Sequence, residues 1–97
     1  MVVIAKRAIN EFIEKYPASA KVMLEWYLKT KESDWANFVD TRKMFAVTDS
    51  VGNGLYVFNV GGNKYRLIAR IIFRTHTVFI RFVATHKEYD KVKLSGL

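Results

Sequence analysis

The spacing of apolar residues changes once along this chain, and that change fixes most of what it can fold into. Up to about residue 45 the period is helical. Ala5, Ala8, Ile9, Phe12, Ile13 and Tyr16 recur along one face, with Lys6, Arg7, Asn10, Glu11, Glu14 and Lys15 between them. Pro17 should end that helix, because the residue before a proline is pushed out of helical angles. A second helix is expected from about Ser19, with Ala20, Met23, Leu24, Tyr27 and Leu28 as its stripe. Trp26 falls off that stripe, and burial is the favoured reading for it. Ser33 or Asp34 is placed to cap a short third helix carrying Trp35, Phe38 and Val39. The β-branched start, Met1 to Ile4, suits an edge strand.

Beyond Phe45 the period becomes two. Asp49 to Gly54 is a turn cluster, Leu55 to Val60 a strand, Gly61-Gly62 a two-residue hairpin signal and Lys64 to Arg74 a long strand. Thr75-His76 then turns the chain into a last strand, Thr77 to Thr85. Helices followed by strands predict an α+β fold, with two to three N-terminal helices on one face of a small antiparallel sheet. One domain is expected over residues 1–97, helical over about 5–45 and sheet over about 46–90.

The two predicted turns give a register. With Gly61-Gly62 at one tip, Phe58 faces Tyr65 and Tyr56 faces Leu67. With Thr75-His76 at the other, Ile71 faces Ile80, Ala69 faces Phe82 and Leu67 faces Ala84. These residues share one face, the seat for the helices. The opposite face receives Asn59, Lys64, Arg66, Arg70 and Arg81, with Arg70 directly across from Arg81. Like charges opposed on a sheet are destabilising, so their gathering points to an anionic ligand. The bland alternative is a solvated sheet face of arginines alternating with aliphatics. The nearby aromatics Phe79 and Tyr89 favour a nucleic-acid surface, which pairs charge with base stacking. Arg66 and Tyr89 are both expected to lie outside the core.

Composition narrows the chemistry. Sixteen Lys and Arg against nine acidic residues leave a net charge of +7, which attracts polyanions. A hydrophobic content of 51% is too high for a disordered segment. There is no cysteine, which excludes disulfides and thiolate metal sites, and two histidines make a poor zinc set. No apolar run approaches the roughly 18 residues of a membrane span, and the N-terminus lacks the order of a secretory signal. A cytoplasmic protein with no cofactor, no metal and no membrane attachment is expected.

Where the last strand ends, Thr85-His86-Lys87-Glu88-Tyr89-Asp90 gathers an imidazole, an ammonium, two carboxylates and a phenol within six residues. Acid–base chemistry at a phosphate requires a proton-transfer group, a cation and orienting groups of this kind. Against this, a strand-end histidine is ordinarily a structural hydrogen-bonder, and Glu88 and Asp90 suit the capping of a short helical turn. His76, in an exposed turn, is given no role.

The runs Tyr56-Val57-Phe58-Asn59-Val60-Gly61-Gly62-Asn63, Tyr65 to Ala69, Ile80 to Val83 and Thr85 to Asp90 closely resemble the HigB family of toxins from type II toxin–antitoxin systems, within the wider RelE-like group. Asp34 to Phe38, with Asp40, Arg42 and Asp49-Ser50-Val51-Gly52, is also similar to that family. The resemblance implies the RelE-like microbial-RNase fold and endonucleolytic cleavage of mRNA, often on translating ribosomes. It implies restraint by a HigA-like helix-turn-helix antitoxin, and metal-independent attack by the 2′-OH that leaves a 2′,3′-cyclic phosphate. By position, Arg66 resembles the sheet arginine that contacts the scissile phosphate. His86-Lys87 stands where many relatives have a His-Arg pair, and Tyr89 resembles the aromatic that stacks on or orients the substrate. The site set implied is Arg66, His86, Lys87 and Tyr89 for catalysis, with Asn59, Lys64, Arg70 and Arg81 for RNA binding. His86 is the first choice for general base, with Lys64 or Lys87 as neighbours. Lys87 departs from the arginine common in the group and offers a point charge instead of a bidentate fork. The short stretch after Asp90 is expected to leave the groove open to the antitoxin. Two other readings stand beside it: a basic module that binds RNA or an acidic partner with the same surface and does not cut, and an inactive toxin relic kept only for its antitoxin contact.

Overall fold

The computed structural model describes residues 1–97. Strand β1 (Val2–Ile4) leads into helices α1 (Lys6–Lys15), α2 (Ala20–Glu32) and α3 (Phe38–Met44). Strands β2 (Thr48–Gly52), β3 (Leu55–Val60), β4 (Tyr65–Ile72) and β5 (Thr77–Thr85) follow, and a single helical turn, α4 (His86–Tyr89), ends the last one. The strands form one sheet in the order β1-β5-β4-β3-β2. The expected α+β architecture is present, and the neighbours from β2 to β5 are antiparallel. The sheet is mixed because β1 runs parallel to β5, pairing Val2 to Thr77 and Ile4 to Phe79.

α1 stops at Lys15, ahead of Pro17, and buries Ile9 and Phe12. α2 is rotated from the expected stripe. It buries Met23, Trp26 and Thr30, while Leu24 and Leu28 stay exposed. Trp26 wins because its indole joins an aromatic cluster that two leucines cannot replace. Its ring centroid lies 5.2 Å from Phe58 and 6.1 Å from Phe45, and Phe58 lies 6.3 Å from Trp35. The cap of α3 is Asn37, whose Oδ1 accepts from the Asp40 amide at 3.0 Å, and not Ser33 or Asp34. Trp35 therefore precedes the helix, buried against the sheet, and Val39 is exposed. Most of the expected turn cluster at 49–54 is strand β2, with only Asn53 and Gly54 turning the chain.

The register departs from expectation in a systematic way. Val60 pairs with Tyr65, Phe58 with Leu67 and Tyr56 with Ala69, so the connection is the four residues Gly61 to Lys64. Ile72 pairs with Thr77 and Ile71 with Val78, so the next connection is the four residues Phe73 to His76. Each hairpin is shifted by two residues. Since side chains alternate with period two, such a shift keeps every residue on its face, and the apolar pattern cannot detect it. Helix-facing Phe58, Val60, Leu67, Ala69, Ile71, Val78 and Ile80 thus form the main core with Ile9, Phe12, Met23 and Trp26.

A bulge breaks the pattern on β5. Ala69 pairs with Ile80 and Ile68 with Phe82, leaving Arg81 as the unpaired residue. On the turn side of the bulge the shifted hairpin already sets Arg70 opposite Phe79, and the expected opposition of Arg70 and Arg81 does not exist. Beyond the bulge, Val83 and not Phe82 faces the helices. Phe82 turns to the second face, where Leu55, Val57 and Ile68 are buried beneath Phe82, Tyr89, Val92, Leu94 and Leu97. The second face is therefore a smaller core and not a solvated cationic surface. Residues after Asp90 cover part of it instead of leaving it open.

Candidate active site

One end of the second face is where β3, β4 and α4 meet. Asn59 and Arg66 are cross-strand partners and point the same way. β5 delivers α4 to the same end, and the His86 amide donates to the Lys64 carbonyl at 2.9 Å. α4 is only four residues long, so its geometry depends on its cap. Thr85 accepts from the Glu88 amide at 3.1 Å and Glu88 accepts from the Thr85 amide at 3.0 Å, a reciprocal capping box. The Glu88 carboxylate also accepts from the Tyr16 hydroxyl at 3.3 Å and lies 3.6 Å from the Lys15 ammonium. These bonds tie the turn to α1. The Thr85 amide holds the Glu88 carboxyl below its ordinary range, against a smaller opposing effect of burial, and Lys15 adds to the lowering. Glu88 thus takes the capping role.

Arg66 is buried at 8% exposure, contrary to its expected place outside the core. Its Nη2 donates to Asn63 Oδ1 at 2.7 Å, and its Nη1 donates to the carbonyls of Tyr65 at 3.1 Å and Asn63 at 3.4 Å. The Tyr89 ring centroid lies 5.9 Å from the guanidinium carbon, within cation–π range. Tyr89 itself is half-buried against the smaller core. His86 completes the group. Its Nδ1 is 3.2 Å from the Asn63 carbonyl and 3.4 Å from Arg66 Nη2, and its Nε2 is 3.8 Å from Asp90 Oδ1.

Of the residues singled out from sequence, Arg66, His86 and Tyr89 come together, with Asn59 alongside. Lys64 and Lys87 flank them with exposed side chains. Arg70 and Arg81 lie elsewhere. Arg70, four residues further along β4, donates to the Asn53 carbonyl. Arg81 donates to the Leu97 carbonyl at 3.2 Å and lines a cleft of about 380 Å³ with Lys15, Tyr16 and Phe82. Sequence reasoning missed Asn63, which touches both Arg66 and His86. Its place three residues before Arg66 becomes informative only when the turn is known to have four residues.

The family model for the RelE-like toxic component of a toxin-antitoxin system, HigB toxin, matches residues 19–92. The chain belongs to the HigB toxin family. The match contains every candidate residue from Asn59 to Asp90, and family membership implies an antitoxin partner. One relative, named mRNA interferase HigB, comes from Escherichia coli O6:H1. It is 35% identical over 94 residues, covering 95% of this chain and 91% of its own. The mRNA interferase toxin HigB of Escherichia coli K12 is 37% identical over 97 residues, covering 93% of this chain and 88% of its own. The mRNA interferase HigB of Shigella flexneri matches to the same extent. No helix of this HigB-family chain is long and apolar enough to cross a membrane.

Proposed function

We propose that this chain is an mRNA endoribonuclease, acting as a single toxin domain in the cytoplasm and restrained by a HigA-like helix-turn-helix antitoxin. The observation that carries this reading is the convergence of Arg66, His86 and Tyr89 at one end of the sheet. RNA supplies its own nucleophile. His86 takes the proton of the 2′-OH, O2′ bonds to phosphorus, and the P–O5′ bond breaks. The products are a 2′,3′-cyclic phosphate and a 5′-OH, the latter protonated by solvent or by the ammonium groups of Lys64 and Lys87. Arg66 opposes the charge that builds on the phosphoryl oxygens, and its burial strengthens that effect relative to water. Tyr89 offers its ring to a base, and Asn59 lies beside the strand path. Arg70 and Arg81 reach phosphates further along the RNA. The +7 charge favours encounter with ribosome-bound message.

The test is to incubate the purified chain with mRNA in EDTA, with and without translating ribosomes, and to map the 5′ ends. Metal-independent cuts ending in a cyclic phosphate are expected, and they should vanish in a His86→Ala variant. Binding without cutting under both conditions would refute the nuclease assignment.

A further inference from the structure

The contacts around His86 Nδ1 are mutually exclusive. The Asn63 carbonyl only accepts hydrogen bonds, so its 3.2 Å contact requires a proton on Nδ1. The Arg66 guanidinium only donates, so a bond across its 3.4 Å approach requires a bare Nδ1. Which wins decides the chemistry of the ring. With the proton on Nδ1, Nε2 presents a lone pair and can act as a base. With Nδ1 bare, the neutral ring carries its proton on Nε2 and the outward nitrogen is spent.

The Asn63 side chain arbitrates. Its Oδ1 takes an Nη2 hydrogen at 2.7 Å, the shortest bond that the guanidinium makes to this residue. That bond holds Nη2 at 3.4 Å from the imidazole, a long and weak contact beside the ordinary range of roughly 2.7–3.2 Å. The Asn63 carbonyl stands nearer to Nδ1 than the arginine does. We propose that Asn63 is a positioning residue, whose side chain keeps the Arg66 donor off His86 and so holds the imidazole in the Nδ1–H form with Nε2 free. The Asp90 carboxylate is the other charged group beside the ring; it favours a proton on Nε2, but at 3.8 Å it stands too far away to hydrogen-bond there. The catalytic value of this arrangement rests on the nuclease reading above, but the tautomer does not.

The test separates the two. The ring nitrogens of His86 and His76 are read by nitrogen-15 NMR on the labelled full chain, under alkaline conditions that leave imidazoles neutral. The wild-type chain is expected to show the Nδ1–H form at His86. Asn63 is exposed and sits at negative φ, so Asn63→Ala should still fold, though less stably for the lost bond to Arg66. That variant frees the guanidinium to close on Nδ1 and should shift His86 to the Nε2–H form. Its kcat should fall about tenfold to a hundredfold, part of the 10²–10⁴ typical of a positioned base, with KM nearly unchanged. Asn63→Asp keeps an acceptor for Arg66, so it should retain the Nδ1–H form while raising KM through a carboxylate beside the phosphate. An Nε2–H form in the wild-type chain, or an unchanged tautomer in Asn63→Ala, overturns the proposal. A wild-type chain that cuts no RNA overturns only the nuclease reading, because the tautomer is measured without substrate.

Discussion

Replacing Arg66 by alanine should damage folding as well as chemistry, and the size of the effect follows from its contacts. The guanidinium makes two well-formed hydrogen bonds, to Asn63 Oδ1 at 2.7 Å and the Tyr65 carbonyl at 3.1 Å, and stacks near Tyr89. Bonds from a charged donor contribute about 1.5–3 kcal/mol each and the cation–π contact about 0.5–1 kcal/mol, which sets a ceiling of about 4–7 kcal/mol. Bringing the guanidinium out of water costs several kcal/mol in return, so the net loss expected is about 2 kcal/mol. For a domain of this size that lowers the melting temperature by roughly 8–16 °C. Arg66→Lys keeps a charge and one donor, so its melting temperature should fall by about half as much. It loses the planar fork, however, and its cleavage rate should fall nearly as far as that of the alanine variant. Thermal melts of the three chains, followed by cleavage assays well below the lowest transition, separate the two effects. An Arg66→Ala chain that melts within about 2 °C of wild type would show that the buried bonds contribute nothing. An Arg66→Lys chain that cuts at the wild-type rate would remove the guanidinium from the mechanism.

Three further outcomes are expected. The Glu88 carboxyl titrates below its ordinary value of 4.5, so its stabilising effect is complete above that pH and is lost as pH falls through the lowered folded value. In urea melts from pH 7 down to 3, the gap between wild type and Glu88→Gln should therefore shrink in the acid range, and a constant gap would contradict the assignment. Ala5 adopts φ 71°, a left-handed conformation that costs an L-residue about 1–2 kcal/mol, so Ala5→Gly should stabilise by up to about 1 kcal/mol in thermal or urea melts. Tyr89→Phe should keep both stability and cleavage if the ring acts by stacking, whereas Tyr89→Ala should lower both. Loss of cleavage in the Phe variant would point to the hydroxyl instead.

Which residues share a face was legible in the sequence as far as the bulge on β5; which residues stand opposite one another was not. Alternation alone placed Phe58, Leu67, Ala69 and Ile71 toward the helices and Asn59, Arg66 and Arg70 away from them, and all of these stand. The pattern repeats every two residues, so it reads a two-residue and a four-residue connection alike. The glycines misled for a related reason. Gly61 and Gly62 both take positive φ, as a tight turn would require, yet they form only half of a longer loop. The bulge at Arg81 leaves no mark in the pattern either, because Phe82 and Val83 are both apolar and each face offers an apolar seat. On α2 the stripe pointed to Leu24 and Leu28, since periodicity counts apolar positions and does not weigh the aromatic cluster that Trp26 completes.

The same turn error concealed the centre of the site. A two-residue hairpin puts Asn63 on β4, across from Val60, where it is one more polar residue at a strand end. A four-residue loop frees it to fold back, so that its side chain meets Arg66 and its carbonyl meets His86. Loop length therefore does more here than join two strands. Through Asn63 it supplies acceptors that, with the Tyr65 carbonyl of β4, allow a guanidinium to sit at 8% exposure with no carboxylate beside it. A carboxylate partner would have satisfied Arg66 equally well but cancelled the charge that a phosphate must meet. Neutral acceptors, the Asn63 amide and two main-chain carbonyls, hold the arginine in place and leave its charge available. The cation that matters is thus set apart from the other basic residues by what holds it, and the bulk charge of +7 serves encounter, not chemistry.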